Sequence, residues 1–357
     1  MKTLSRYLRR EIVLASLLVL LSFVALFAFF DFLGELDQVG RSSYQLKHAL
    51  IYVLLTIPSR AYEIMPIAVL IGGLYALTQL ARHSELTVMR AAGVSTMRML
   101  GSLMRVGLLF VVVTFVLGEY VAPPLERVAQ KWRLRSTNAS VPADLRTGVW
   151  LRDKHSFVNV RKAQPDAAIE GVRIFELDDA YRLRSSSQAE RGEYKRGQGW
   201  TLFNVVQTHF EADRTEVQRF ASMPWDSELT PDMLSLMMVA PERMAISSLY
   251  EYVRHLEDNR QRTGRYGLAF WKKLIYPFTA LVMLGLALPL CLGSQRSGSV
   301  NARVMLGVFL GMGFYLLNGL SSNLGVINGW PPIPTAAAPS MMFLLAALIM
   351  LRWVERR

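Results

Sequence analysis

The sequence predicts a mixed membrane protein, with six transmembrane helices in two groups of three around an inserted β-rich domain. Three observations predict it. Long apolar stretches fill residues 1–125 and 268–357, each near the roughly 20 residues that cross about 30 Å of hydrocarbon. Residues 126–267 are polar, and between about Val141 and Trp225 they alternate with the period of strands. Basic residues gather at the ends of the apolar stretches. A hydrophobic share of 52% argues against a wholly soluble chain.

Ile12–Phe30 is the first span. Lys2, Arg6, Arg9 and Arg10 before it resemble a signal peptide, but the stretch outruns an h-region and meets Asp31-Phe32 instead of a cleavage site. Ile64–Leu80 is the second span, slightly short, taken as about 62–81 with Tyr62 and Glu63 at its mouth. Val106–Gly118 needs the residues from Met99 to complete the third, about 99–119. Arg105 then lies near one end, where it can snorkel and avoid the roughly 2.5–3.5 kcal/mol of a mid-membrane arginine. Leu274–Leu292, Val304–Leu324 and Thr335–Leu351 complete the set, the fourth entered from about 270.

The basic residues fix direction. Those before span one, Arg82, Arg90 and Arg98 between two and three, Arg296 and Arg303 between four and five, and Arg352, Arg356 and Arg357 after six share one side. Both termini are therefore expected in the cytoplasm and 126–267 outside. The net charge of +12 reads as this topology signal and a match to anionic lipid, with nucleic acid disfavoured. Cys291, the sole cysteine, lies in an apolar run, which excludes an intramolecular disulfide and leaves the β domain to core packing.

In that domain, Ser156–Val160, Val172–Leu177 and Trp200–Val205 alternate like half-buried strands, favouring an antiparallel sandwich or jelly roll. Its open edges either are blunted or add another protein's strand. Ile246–Asn259 follows with a helical stripe of Leu249, Tyr252, Val253 and Leu256.

Enzyme chemistry finds no support. There is no phosphate-binding Gly-x4-Gly-Lys-Ser/Thr loop, no His-Glu-x-x-His pair, no cysteine cluster and no Gly-x-Ser-x-Gly elbow. No bound cofactor is expected. Glu63 and Glu119 read as interfacial carboxylates facing water more readily than as a proton relay. Gly307-x3-Gly311 is a small-residue packing face.

Arg82–Ser95, between spans two and three, carries more information. Ser84 can cap a short helix over 84–93, Glu85 suits its positive N-terminus and Gly93 can end it. Leu86, Met89 and Arg90 then share a face, which either lies on the membrane or enters a groove on a cytoplasmic partner.

Arg82–Ser95, Gly118–Pro123, Gly148–Asp153, Leu229–Asp232, Gly264–Tyr266 and Phe270–Pro277 occur in an order that resembles the lipopolysaccharide export permeases, the LptF/LptG family, over nearly the whole length. The last stretch is nearer the G-type than the F-type. The resemblance implies a transmembrane permease subunit that extracts lipopolysaccharide from the outer leaflet of the inner membrane. Its implied partners are an LptF permease, a cytoplasmic LptB ATPase dimer that uses the ATP, LptC, and an LptA-type jelly-roll bridge reached through LptC or LptF. It also implies that Arg82, His83, Ser84, Glu85, Leu86, Met89, Arg90 and Gly93 form a coupling helix on the ATPase, with Glu85 its ionic contact. Spans one and five would be lateral gates.

A phosphorylated lipid needs basic groups at the outer rim, which Lys131, Arg133 and Arg135 can supply. A solvated basic stretch on an extended helix is the other reading. Asp31 joins Lys131, Arg133 and Arg135 as a candidate lipopolysaccharide-binding residue by its place after span one, but some relatives carry a lysine there; the alternative is that Asp31, with Glu35 and Asp37, faces a basic group or a divalent cation. Outside the exporter reading stand a self-contained secondary transporter, disfavoured by uncharged span centres, and a non-transporting ABC-type mechanotransmitter, disfavoured by the three-plus-three layout.

Overall fold

The computed structural model describes residues 2–40, 44–137, 149–153, 156–163, 168–178, 182–195, 199–210, 214–227, 240–258, 263–292 and 300–356. Helices α1 (Lys2–Leu36), α2 (Leu46–Arg82), α3 (Glu85–Ala91), α4 (Thr96–Val116) and α5 (Ala122–Thr137) precede six strands, β1 (Val149–Asp153) to β6 (Thr215–Trp225). Helices α6 (Ile246–Asp258), α7 (Gly264–Leu292), α8 (Val300–Ile327) and α9 (Pro332–Glu355) follow. Six helical segments are long and apolar enough to cross a membrane, three before the sheet and three after it.

The second and third spans outrun their hydropathy. α2 is 37 residues long and begins at Leu46, well before the predicted 62. Its fourth turn holds Pro58, Ser59 and Arg60, which lower hydropathy, yet Arg60 bonds to Asp31 of α1 and Ser59 to Glu126 of α5. The predicted stop at 119 is a π-helical turn, Leu117–Val121, through which α4 continues into α5. Gly118 is required there, because a Cβ would sit 2.5 Å from the Tyr62 ring. α7 likewise begins at Gly264, earlier than the predicted 270.

α2 is the central pillar. Of its most apolar window 78% is buried, against 17% for α1 and for α8. Leu70, Leu74 and Leu77 are enclosed by α4 and α7 residues such as Leu103, Met283, Leu284 and Leu288. Both peripheral helices meet the pillar where glycine removes a side chain. A Cβ on Gly72 would lie 2.4 Å from the Ser16 backbone of α1, and one on Gly311 would lie 2.6 Å from Ile67. These contacts allow the close backbone approach expected of small-residue crossings.

The strands β1 to β6 pair antiparallel in sequence order, forming the β-rich inserted domain without a Greek-key crossover among the described strands. β2 is Ser156–Ala163, β3 Ala168–Leu177, β4 Leu183–Lys195 and β5 Gly199–Phe210. The pairing skips one transverse row, Arg161, Gly171, Glu190, Asn204 and Ala221, while the registers immediately on either side of it are the same. Gly171 and Asn204 in that row have φ of 65° and 52°, the left-handed region.

Inward alternation changes phase across the same row. In β3, Ile169 gives way to Val172 and Ile174; in β5, Trp200 and Leu202 give way to Val205. The sheet is therefore creased along one line. Among the described residues no helix packs broadly on it, so the two halves bury a shared core of Val158, Val160, Val172, Leu202 and Trp200 against each other.

Candidate functional site

α3 lies between the second and third spans, at the same end of the bundle as both chain ends. Gly93, with φ of 84°, closes it: the Gly93 N–H donates to the Arg90 carbonyl at 3.0 Å and the Val94 N–H to the Met89 carbonyl at 3.1 Å. This is the double hydrogen bond of a Schellman cap. Ser84 precedes the helix at φ 60°, and its side chain makes no cap hydrogen bond, contrary to expectation, because the left-handed turn from α2 takes it out of capping geometry. The next helix does have such a cap, with the Arg98 N–H donating to Ser95 Oγ at 3.4 Å.

The expected shared face also divides. Leu86 (0% exposed) and Met89 (7%) point into the bundle core, whereas Arg90 is exposed. The apolar stripe is thus consumed within the chain. Arg82, His83, Thr87, Val88 and Arg90 form the outward surface, and Glu85, half-buried, accepts from the Tyr7 hydroxyl at 3.4 Å.

A second cluster lies at the opposite end, where the helices lead into the sheet. Arg60 donates twice to Asp31, from Nε and Nη2 at 2.7 Å each, and once to Glu63 at 3.0 Å. Arg133 pairs with Glu35 at 3.1 Å and lies 5.2 Å from the Tyr52 ring centroid. The Tyr44 hydroxyl donates to Glu35 at 3.0 Å; burial, reinforced by that carboxylate, holds the phenol well above its ordinary pKa. Glu126, fully buried, accepts from Arg243, from Ser59 Oγ at 3.0 Å and from Gln130 at 3.1 Å. Four carboxylates and two of the guanidinium groups, those of Arg60 and Arg243, line a polar cavity of about 100 Å³.

This arrangement answers the question left by Asp31. Asp31 and Glu35 face guanidinium groups, and Asp37 is exposed. Arg133 is engaged by Glu35, while Lys131 is exposed; the Arg135 side chain lies outside the described residues. Glu119 does not simply face water. It accepts from the backbone N–H of Ile246 at 2.7 Å and of Ser247 at 3.4 Å, capping α6 from another helix. Lys273 completes the junction by donating to the Met244 carbonyl. Sequence reading misses Arg60, Glu126 and Arg243. The one local signal is a charge pair, Arg60 and Glu63, one turn apart on an apolar helix.

Fold and clusters together define a multi-pass membrane protein, with a small helix projecting at one end and a charged junction to a β domain at the other. A family model described as "Lipopolysaccharide export system permease LptF/LptG" matches residues 6–353. The chain is 32% identical over 356 residues to the lipopolysaccharide export system permease protein LptG of Haemophilus influenzae, covering 99% of this chain and 98% of that one. It is 31% identical over 354 residues to the protein of the same name from Escherichia coli, covering 98% and 97%. The chain belongs to the LptF/LptG family.

Proposed function

We propose that the chain is the G-type permease subunit of an ABC exporter, one that extracts lipopolysaccharide from the outer leaflet of the inner membrane and passes it to a periplasmic bridge. The match over 6–353 and the names of both relatives carry this reading. Its companions are an F-type permease, a separate cytoplasmic LptB-type ATPase dimer, LptC and an LptA-type bridge. The termini and α3 lie on the cytoplasmic side and the β domain in the periplasm, in keeping with the arginines at the termini end.

The geometry of α3 supports a coupling role. With Leu86 and Met89 locked in the core, a force on Val88 or Arg90 moves α2 and α4 with it. α1 and α8, the first and fifth spans, are the least enclosed and suit lateral gates that open toward lipid. The test is mild-detergent purification of the tagged chain from its own membranes. A nucleotide-hydrolysing subunit and a second permease-like chain should come with it. Recovery of the chain without either would sink the proposal.

A further inference from the structure

We infer that the end of the bundle carrying the termini holds a binding site for an anionic phospholipid, in a groove between α1 and α4. The groove has a volume of about 830 Å³, within the roughly 300–1,000 Å³ typical of ligand pockets. Arg6 and Arg9 reach it from α1, and Arg98 and Arg105 from α4. All four are exposed, and none of their guanidinium groups makes a hydrogen bond or ion pair with another described residue. No carboxylate is among the described residues lining the groove.

The arginines are aimed by the packing beneath them. Leu8 (3% exposed) fixes the rotation of α1, while Met99 (2%) and Val106 (1%) fix that of α4. Arg98 and Arg105 are seven residues apart, about two turns or 10 Å along the axis, so the charge forms a short column. Below Arg105 the wall becomes apolar: Leu108, Leu109 and Val112 line the groove and remain 54%, 44% and 55% exposed. α4 is part of a membrane-spanning segment, so that wall lies at acyl-chain depth.

Charge and grease in that order match one kind of occupant. A phosphodiester accepts the planar fork of several guanidinium groups, and its acyl chains cover the wall that follows. An acidic peptide would satisfy the arginines but would carry unpaired backbone into hydrocarbon to reach Val112. Topology alone explains basic residues at these helix ends; it does not require four of them to converge on one groove. The ligand chemistry does not depend on which leaflet the groove faces.

Native mass spectrometry of the full chain, released from detergent with equimolar phosphatidylglycerol and phosphatidylcholine, tests this. The wild type should retain phosphatidylglycerol preferentially. R98Q/R105Q should lower that preference by about fivefold for each arginine removed. A Cβ on Gly101, which lines the groove, meets nothing within 4 Å, so Gly101→Phe starts its side chain in open space and should reduce phosphatidylglycerol retention at unchanged charge. R352Q/R356Q, on α9, should behave as wild type. Glycerol phosphate in excess should not displace the lipid; displacement would assign the arginines to a free phosphate instead. Unchanged preference in R98Q/R105Q, unchanged retention in Gly101→Phe, or equal loss in R352Q/R356Q would overturn the site.

Discussion

Glu126 has no exposed surface, and its carboxylate joins α5 to Arg243 beyond the sheet and to Ser59 of α2. Removing it leaves the Arg243 guanidinium without this carboxylate in a polar cavity. Glu126→Ala should destabilise the protein by about 3 kcal/mol, the low end for breaking a buried pair because Arg243 keeps some water. A lowered thermal midpoint in detergent would register this, with Glu126→Gln losing less.

Glu85 differs because its hydroxyl partner is weak and exposed. Glu85→Ala should preserve insertion and thermal midpoint while reducing ATPase co-purification, and Tyr7→Phe should reduce neither. Equal losses in both variants would mean that Glu85 acts through Tyr7. The two sites also differ in legibility. Residues 82–95 announce a helix locally, through Glu85 and Gly93, whereas Arg243 finds Glu126 across 117 residues and Arg60 finds Asp31 across 29. Pattern reading has no access to such pairs until the fold exists.

Among the helices, glycine position decides what can pack. Gly72 and Gly311 let α1 and α8 approach the α2 pillar, but Gly313, two residues on, meets nothing. Gly311→Leu should therefore cost about 1–3 kcal/mol by overpacking against Ile67, while Gly313→Leu should be tolerated. Thermal midpoints of the two variants in one detergent make the comparison. Hydropathy located these helices because uninterrupted apolar length is a local property. It shortened α2 and the continuous segment that α4 forms with α5 because Arg60, Glu63 and Glu119 read as water-facing until their partners are known. α3 was legible as a helix, but its buried face was not: an apolar stripe looks the same whether it serves its own core or another chain's.

Across the whole molecule, order along the chain revealed more than pattern within any segment. Three apolar stretches, a polar domain and three more already specify the two halves. The crease in the sheet was hidden, because β3 and β5 each break alternation once, at Gly171 and at Asn204, and a single break reads as noise. Only alignment of the strands reveals that the breaks form one row. Such a row drops out of the pairing register together, so its amides should exchange with deuterium as a group, ahead of the flanking Val172 and Val205. Uniform protection along β3 and β5 would contradict this. A sheet with one spine is like a book held open at a single angle: its pages keep their own lettering, and the filling between them sets the width they enclose.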